Sequence, residues 1–437
     1  MKTSFRVKVL IIALVIIIAV VAGSTIYILT PKETEELRIG FLSSLTGVLA
    51  PFGQPCSFAF RKCIEDVNSL GGVIIEGRKC PVRIIEYDDS SDPTKASALA
   101  EQLILQDKVH VLVTSAGPPI VQIPISRIAD RYKIPTFVNG IFEAWWVSGP
   151  YKYAWNTGCW LITPIPENDF RAGKAGYQAL LNYIYVTELF SDKINKRTAL
   201  FAPNDADGRS FYELITKLAQ DAGYTVVGIE KGLGLYAPGT MDYTAIIREW
   251  KEGEAEVLWG LSPGTDFATM WRQAHTLGWK PKIAMDGRAL KQYDDAITIG
   301  KDLVIGLIDP FNVWAPYVPY KSCYGERTGM QLAEEWKKET GKEWTDGLSW
   351  YTVGEIVCKT IELTGSLDPE KINQAVLQLD IVTLAYGRVK YIPEFHSSPF
   401  PMYVGQWVVK NGRLKMEYIY SFNPDVKPTS EPIFPLP

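Results

Sequence analysis

Leu37-Arg38-Ile39-Gly40-Phe41-Leu42 runs into Ser43-Ser44-Leu45-Thr46-Gly47, and the helical stretch that follows ends at Asp66-Val67-Asn68-Ser69-Leu70-Gly71-Gly72. An apolar run of strand length, a polar turn and a helix closed by paired glycines make the opening of a βα unit. A second strand follows as Val82-Arg83-Ile84-Ile85-Glu86-Tyr87. Asp88-Asp89-Ser90-Ser91-Asp92-Pro93-Thr94 then opens another helix, with Asp92 as N-cap and Pro93 in the first helical position. Such a pattern gathers backbone N–H groups and hydroxyls at the strand ends, where open α/β sheets take small ligands.

The alternation continues. Val109 to Val113 leads into the turn Thr114-Ser115-Ala116-Gly117-Pro118-Pro119 and a helix to about Tyr132, and Ile134 to Val138 ends at Asn139-Gly140. These parts make one Rossmann-like lobe. After Tyr153 to Thr157 the pattern restarts with a helix around Gly176 to Leu189, the strand Thr198 to Ala202 and the turn Asn204 to Arg209. Val226 to Glu230, a helix from Tyr243 to Trp250, Val257 to Gly260, a helix through Arg272 and the strand Ile283 to Met285, ending at Asp286-Gly287, complete a second lobe. The last third holds helical stretches at Gly329 to Thr340, Trp350 to Thr364 and Asp368 to Leu379. It closes with a hairpin, Gln406 to Lys410 and Leu414 to Tyr418, across the type I′ signal Asn411-Gly412. Beyond Phe422 the chain is Pro-rich and reads as loose. The fold class is α/β, with two Rossmann-like lobes and parallel sheets.

Length and composition suit that reading. The chain has 437 residues, 47% of them hydrophobic and 22% charged, enough for two lobes that each bury a core. A net charge of −4, without a dense Lys/Arg cluster, argues against nucleic-acid binding. Lys2, Arg6 and Lys8 precede an apolar run from Val9 to Leu29 that rises roughly 30 Å as a helix, long enough to cross a bilayer. It reads as a retained anchor, with cleavage at Ala22-Gly23-Ser24 as the alternative; either way the bulk of the chain lies outside the cytoplasm.

Enzyme signatures are missing. The three histidines, His110, His275 and His396, have no spacing that suits a metal or a triad, and GxSxG, P-loop and GxGxxG motifs do not occur. No cofactor is therefore expected. Of the six cysteines, Cys56 and Cys63 lie roughly 10 Å apart on one helix, too far to bond; Cys63 with Cys80 is a candidate bridge, and burial of all six as small hydrophobes is the alternative.

The opening stretch resembles the solute-binding proteins of branched-chain amino acid type ABC importers. Their opening IGxxxPLTGxxAxxG run is matched by Ile39-Gly40, Leu45-Thr46-Gly47, Ala50 and Gly53, with Ser44 where the family has proline; NxxGG and DDxxDP runs follow in order. Pro238 to Tyr243, Arg272-Gln273-Ala274 and Leu384 to Val389 carry the likeness to about Ser421. The resemblance implies a type I periplasmic binding protein fold with a three-strand hinge near Trp155 to Gly158, Gly306 to Asn312 and Tyr386 to Pro393. On it, residues 1–36 are leader or anchor and tether, 37–157 with 309–390 lobe one, 158–308 with 391–422 lobe two, and 423–437 a tail.

The resemblance also implies the site. Ser115, Ala116, Gly117, Gly140 and Phe142 stand where the family holds its ligand's carboxylate, and Asp286 aligns with the carboxylate that pairs with the ligand's ammonium. Asp207 is a departure, since an aromatic commonly lines the cleft there. Ser44 and Ser262 are further strand-end candidates. Trp155 and Trp160 flank the hinge, and Glu143, Trp145 and Trp146 form an aromatic and acidic cluster suited, with Asp207 and Asp286, to a cationic group. The expected function is capture of an amino acid or related amine or amide by hinge closure, with delivery to ABC permease subunits by a monomer tethered through its N-terminal segment. A ligand-sensing ectodomain is the rival reading; the lack of a further spanning segment after Phe422 weighs against it.

Overall fold

The computed structural model describes residues 36–139, 151–157, 180–393, 396–398, 402–423 and 425–437. The Val9 to Leu29 run, Gly140, Phe142, Glu143, Trp145, Trp146 and Trp160 lie outside the described residues. No helix among the described residues is long and apolar enough to cross a membrane.

The first half of the chain builds as its pattern dictates. Strand β1 (Leu37–Ser43) leads into helix α1 (Ala50–Ser69), then β2 (Val82–Asp88), α2 (Pro93–Leu105), β3 (Val111–Thr114), α3 (Pro119–Tyr132), β4 (Thr136–Val138) and β5 (Ala154–Asn156). Among the described residues these strands form a sheet in the order β2-β1-β3-β4-β5, every neighbour parallel. Strand β1 lies inside the sheet and is buried at every position but Arg38, which is why it reads as a continuous apolar run. Asp92 caps α2 as its position predicts, accepting from Thr94 N at 2.7 Å and Lys95 N at 2.9 Å.

The second half continues with α4 (Leu181–Glu188), β6 (Arg197–Pro203), α5 (Ala206–Asp221), β7 (Thr225–Val226), β8 (Leu235–Tyr236), α6 (Thr244–Glu252), β9 (Val257–Gly260), α7 (Gly264–Thr276), β10 (Ile283–Asp286), α8 (Tyr293–Ile299) and β11 (Ile308–Asn312). Helices α9 (Gly329–Thr340), α10 (Trp350–Thr364) and α11 (Pro369–Ala375) follow, and α9 and α10 pack against α1 of the first half. The chain then returns to the second sheet as β12 (Tyr403–Lys410) and β13 (Arg413–Ser421), giving the order β8-β6-β9-β10-β11-β12-β13, with β7 beside β6. Pairing is parallel as far as β11 and antiparallel beyond it. Asn411 (φ 52°) and Gly412 (φ 72°) turn the last hairpin in the left-handed region, as their sequence signal requires.

Several expectations change. Val226 to Glu230 is not one strand: Gly228 at φ 78° ends β7 and a 3-10 turn, Ile229–Lys231, follows. Ile308–Asn312, expected as a crossing between lobes, is a strand of the second sheet. The Pro-rich end is seated rather than loose. Leu436 N donates to Lys282 O at 3.0 Å, Ile433 N to Gln406 Oε1 at 2.7 Å, and Phe434 stacks on Phe190 at 4.3 Å. Cys63 and Cys80 form no bridge; both are buried free thiols, Cys63 facing Gly354 of α10 while Cys80 Sγ turns to Arg78 O.

One packing device recurs in both halves and brings α1 and α5 onto their sheets. A Cβ on Gly53 of α1 would meet Ser44 O at 2.0 Å, and one on Gly208 of α5 would meet Pro203 O at 1.9 Å. Only glycine lets these helix starts approach the ends of β1 and β6 so closely. Both helix N-termini are thereby fixed at the carboxyl edges of their sheets.

Candidate functional site

The carboxyl ends of the two sheets face a common cleft that opens to solvent. From the first half come Phe52, the turn Ala116-Gly117-Pro118, and Asn139, joined by Asp346, Gly347 and Trp350 from the segment packed on α1. From the second half come Asp207, Leu261, Gly287, Arg288, Lys291, Gln292 and Val313, each just beyond or at the start of an element. Mostly apolar walls with a few convergent charges are the ordinary make-up of a small-molecule site.

The first-half turn is braced from behind. Thr114 Oγ1 donates to Gln122 Oε1 at 2.6 Å and Gln122 Nε2 to Ser115 O at 3.1 Å, while Trp350 Nε1 donates to Thr114 O at 2.8 Å. Ser115 and Ser44 serve this brace and are themselves buried: Ser44 N donates to Ser115 Oγ at 3.3 Å, and Ser44 Oγ to Asp89 Oδ1 at 2.7 Å. Of the expected carboxylate-holding group, Ala116 and Gly117 line the cleft.

Asp286 is placed differently from its expected role. It is fully buried, and its oxygens accept from Ser262 N at 3.0 Å, Ser262 Oγ at 2.6 Å, Arg288 N at 2.9 Å and Ala289 N at 2.7 Å. Burial pushes its carboxyl up to about 6, against those donors. Asp286 and Ser262 therefore fasten the turns after β9 and β10 to each other, and neither lines the cleft. Trp155 is likewise interior: its ring stacks on His396 at 4.1 Å and its Nε1 donates to Asn373 Oδ1 at 2.8 Å.

What the Asp286 turn presents to the cleft is Arg288. Its Nη1 has no hydrogen-bond partner among the described residues and lies 3.9 Å from Asp207 Oδ2 and 4.0 Å from Asp205 Oδ2. Asp207, in the first turn of α5, is 5% exposed, and its Oδ1 also lacks a partner. Burial pushes Asp207 up to about 7, opposed by Arg288 and reinforced by Asp205. Thus the one lobe-two site residue the sequence marked as unusual meets a guanidinium the sequence reading did not single out. Arg288 and Lys291 sit two and five positions after Asp286, at a strand end where ligand groups belong, so position alone pointed to them. Asp346, Gly347 and Trp350 reach the cleft from far along the chain, with no local motif to mark them. Among the described residues no group of three or more His, Cys, Asp or Glu is arranged to hold a metal ion.

Comparison with known proteins agrees with this architecture. The family model described as periplasmic binding protein matches residues 36–413. A Leu/Ile/Val-binding protein homolog of Brucella abortus (strain 2308) is 24% identical over 409 residues, 92% of this chain and 94% of the relative. The crystal structure of a leucine-binding protein from Thermotoga maritima superposes with a TM-score of 0.69 at 17% identity, over 89% of this chain and 99% of the other. A solute-binding protein from Rhodopseudomonas palustris HaA2, solved with p-hydroxybenzoic acid, gives 0.67 at 19% identity, over 90% and 98%.

Proposed function

The chain belongs to the periplasmic binding protein family, and we propose that it serves as the solute-binding component of an ABC importer, closing two lobes outside the cytoplasm on an amino acid. The lobes are the first-sheet half with α9 to α11 and the second-sheet half with β12 and β13. The length of the apolar run Val9 to Leu29 supports tethering through the N-terminal segment, and the basic residues before it support an orientation with the rest of the chain outside the cytoplasm.

One observation carries the ligand reading: Asp207 and Arg288 stand side by side in the cleft, Arg288 Nη1 3.9 Å from Asp207 Oδ2, and neither that nitrogen nor the other carboxylate oxygen, Asp207 Oδ1, has a hydrogen-bond partner among the described residues. Buried polar groups left unpaired are costly, roughly 1–3 kcal/mol each. A zwitterion satisfies both at once, its ammonium on Asp207 and its neighbouring carboxylate on Arg288. Phe52, Leu261, Val313 and Trp350 offer its side chain an apolar surround. Contacts to both lobes exist together only when the cleft is closed, so the ligand favours closure.

A second reading has its own support. An aromatic carboxylate would also satisfy Arg288 and lie between Phe52 and Trp350, and a protonated Asp207 would donate to a ring hydroxyl; a relative in fold binds p-hydroxybenzoic acid. Mass spectrometry of the small molecule released from the freshly purified protein separates the two. An amino acid supports the first reading, and a phenolic acid replaces it with the second.

A further inference from the structure

Between the lobes lies a buried ammonium with two carboxylates in reach. Lys291, on the segment after β10, has a side chain 4% exposed, and its Nζ donates to Phe311 O in its own lobe. The same nitrogen donates to Asp346 Oδ2, 2.9 Å away across the cleft. A second acid, Asp309 on β11 of the Lys291 lobe, is wholly buried and has its Oδ2 3.7 Å from that nitrogen. Asp309 Oδ2 accepts no hydrogen bond among the described residues, while Oδ1 is fixed by Phe311 N at 2.9 Å.

Asp346 moves with the other lobe. The turn Asp346–Ser349 is seated on α1, where a Cβ on Gly347 would meet Pro55 Cγ at 2.7 Å, and Tyr386 Oη donates to Ser349 Oγ at 3.3 Å. Trp350, next in sequence, is bonded to the end of β3. Asp346 Oδ1 also accepts from Val313 N, just beyond β11, at 2.9 Å, so in the proposed hinge motion separating the lobes breaks two bonds of Asp346, to Lys291 and to Val313. A buried cation that loses its charged partner is strongly disfavoured, so opening calls for another carboxylate, and Asp309 is the one already beside it.

We infer that Lys291 is a two-position closure residue: its ammonium binds Asp346 across the cleft when the lobes close and passes to Asp309 of its own lobe when they open. Asp346 then biases the chain toward closure and Asp309 toward opening. The hydrogen bond to Phe311 O holds the ammonium between them in both states. Burial pushes the Asp309 carboxyl up to about 7 while Lys291 opposes the rise, which fits a direct electrostatic coupling between these groups. The inference rests on the proposed lobe closure but not on the identity of the solute.

The test is an interlobe distance measured without added solute. Val48 on the first lobe is 81% exposed and Met241 on the second is 72% exposed, so Val48→Cys and Met241→Cys accept spin labels on the full chain. Pulsed electron paramagnetic resonance is expected to give longer distances for Asp346→Asn and shorter ones for Asp309→Asn. Shifts of the same sign, or no shift in either variant, would overturn the inference. Lys291→Met supplies an independent check should Asp309→Asn fail to fold: in that background Asp346→Asn leaves the distances unchanged, and any further lengthening contradicts the role of Lys291. Since no solute is added, an error in the ligand reading leaves both outcomes interpretable.

Discussion

Arg288 Nη1 stands 3.9 Å from Asp207 Oδ2, beyond hydrogen-bonding distance, and the pair shares the cleft without closing on itself. Two opposite charges held apart in this way leave room for a ligand that carries both signs on neighbouring atoms. Desolvation dominates Asp207, which is why its carboxyl rises to about 7 even with a guanidinium nearby.

Affinity for an amino acid is accordingly expected to tighten with pH. Below about 7 the free protein holds Asp207 protonated, and an ammonium binds the ionised form. Roughly tenfold tightening between pH 6 and pH 8 follows from the change in ionised fraction. Calorimetric titration across that range checks it, with Asp207→Asn expected to give a flat profile.

The same shift has a stability consequence of opposite sense. A carboxyl whose folded value is raised favours folding below its unfolded value near 3.9 and loses that contribution as pH rises through about 7. In urea titrations the unliganded wild type should therefore weaken relative to Asp207→Asn as pH is raised through that window. The difference is of order 1–4 kcal/mol.

Asp286→Ala tests a positioning role. Removing this carboxylate leaves the Ser262, Arg288 and Ala289 donors unsatisfied inside the protein. A loss of roughly 2–4 kcal/mol in stability is expected, together with weaker binding through a displaced Arg288. Normal thermal stability with lost binding would instead mark Asp286 as a direct ligand contact.

Gly208→Ala should damage fold and site together. The added methyl would meet Pro203 O at 1.9 Å, so the start of α5, and Asp207 on it, must move. Overpacking of this kind costs about 1–3 kcal/mol or more. Denaturant midpoint and ligand affinity are expected to fall in parallel.

Trp350 lines the cleft while its indole N–H is tied to Thr114 O. Ligand binding should change tryptophan emission, and Trp350→Phe should remove most of that change despite the 13 tryptophans in the chain. An unchanged signal in the variant would move the reporter elsewhere.

These residues also mark what the sequence could tell. The Leu37 to Thr94 stretch declared its βα pattern because period, caps and glycine stops agree there, and Asp92 and Asn411-Gly412 behave as local chemistry requires. Asp207 was legible as a departure at a strand end. Asp286 reads both ways, because a carboxylate at such a position serves equally well as a ligand contact or as an acceptor for its own turn, and in the structure it accepts from Ser262, Arg288 and Ala289. Asp346 and Trp350 left no local trace: they reach the cleft by the packing of a distant segment on α1. Cys63 and Cys80 follow the same logic, since the partner facing Cys63 is Gly354 of α10, far away in sequence.

The most direct test of the account is calorimetric titration of the ligand-stripped full chain with a panel of L-amino acids and p-hydroxybenzoic acid, repeated on Asp207→Asn and Arg288→Gln. The account predicts that an amino acid with an apolar side chain binds best and loses at least roughly tenfold in affinity in each variant, as expected when a buried charge pairing worth about 1.4 kcal/mol or more is removed. Binding of p-hydroxybenzoic acid alone, or amino-acid binding untouched by Asp207→Asn, would contradict it.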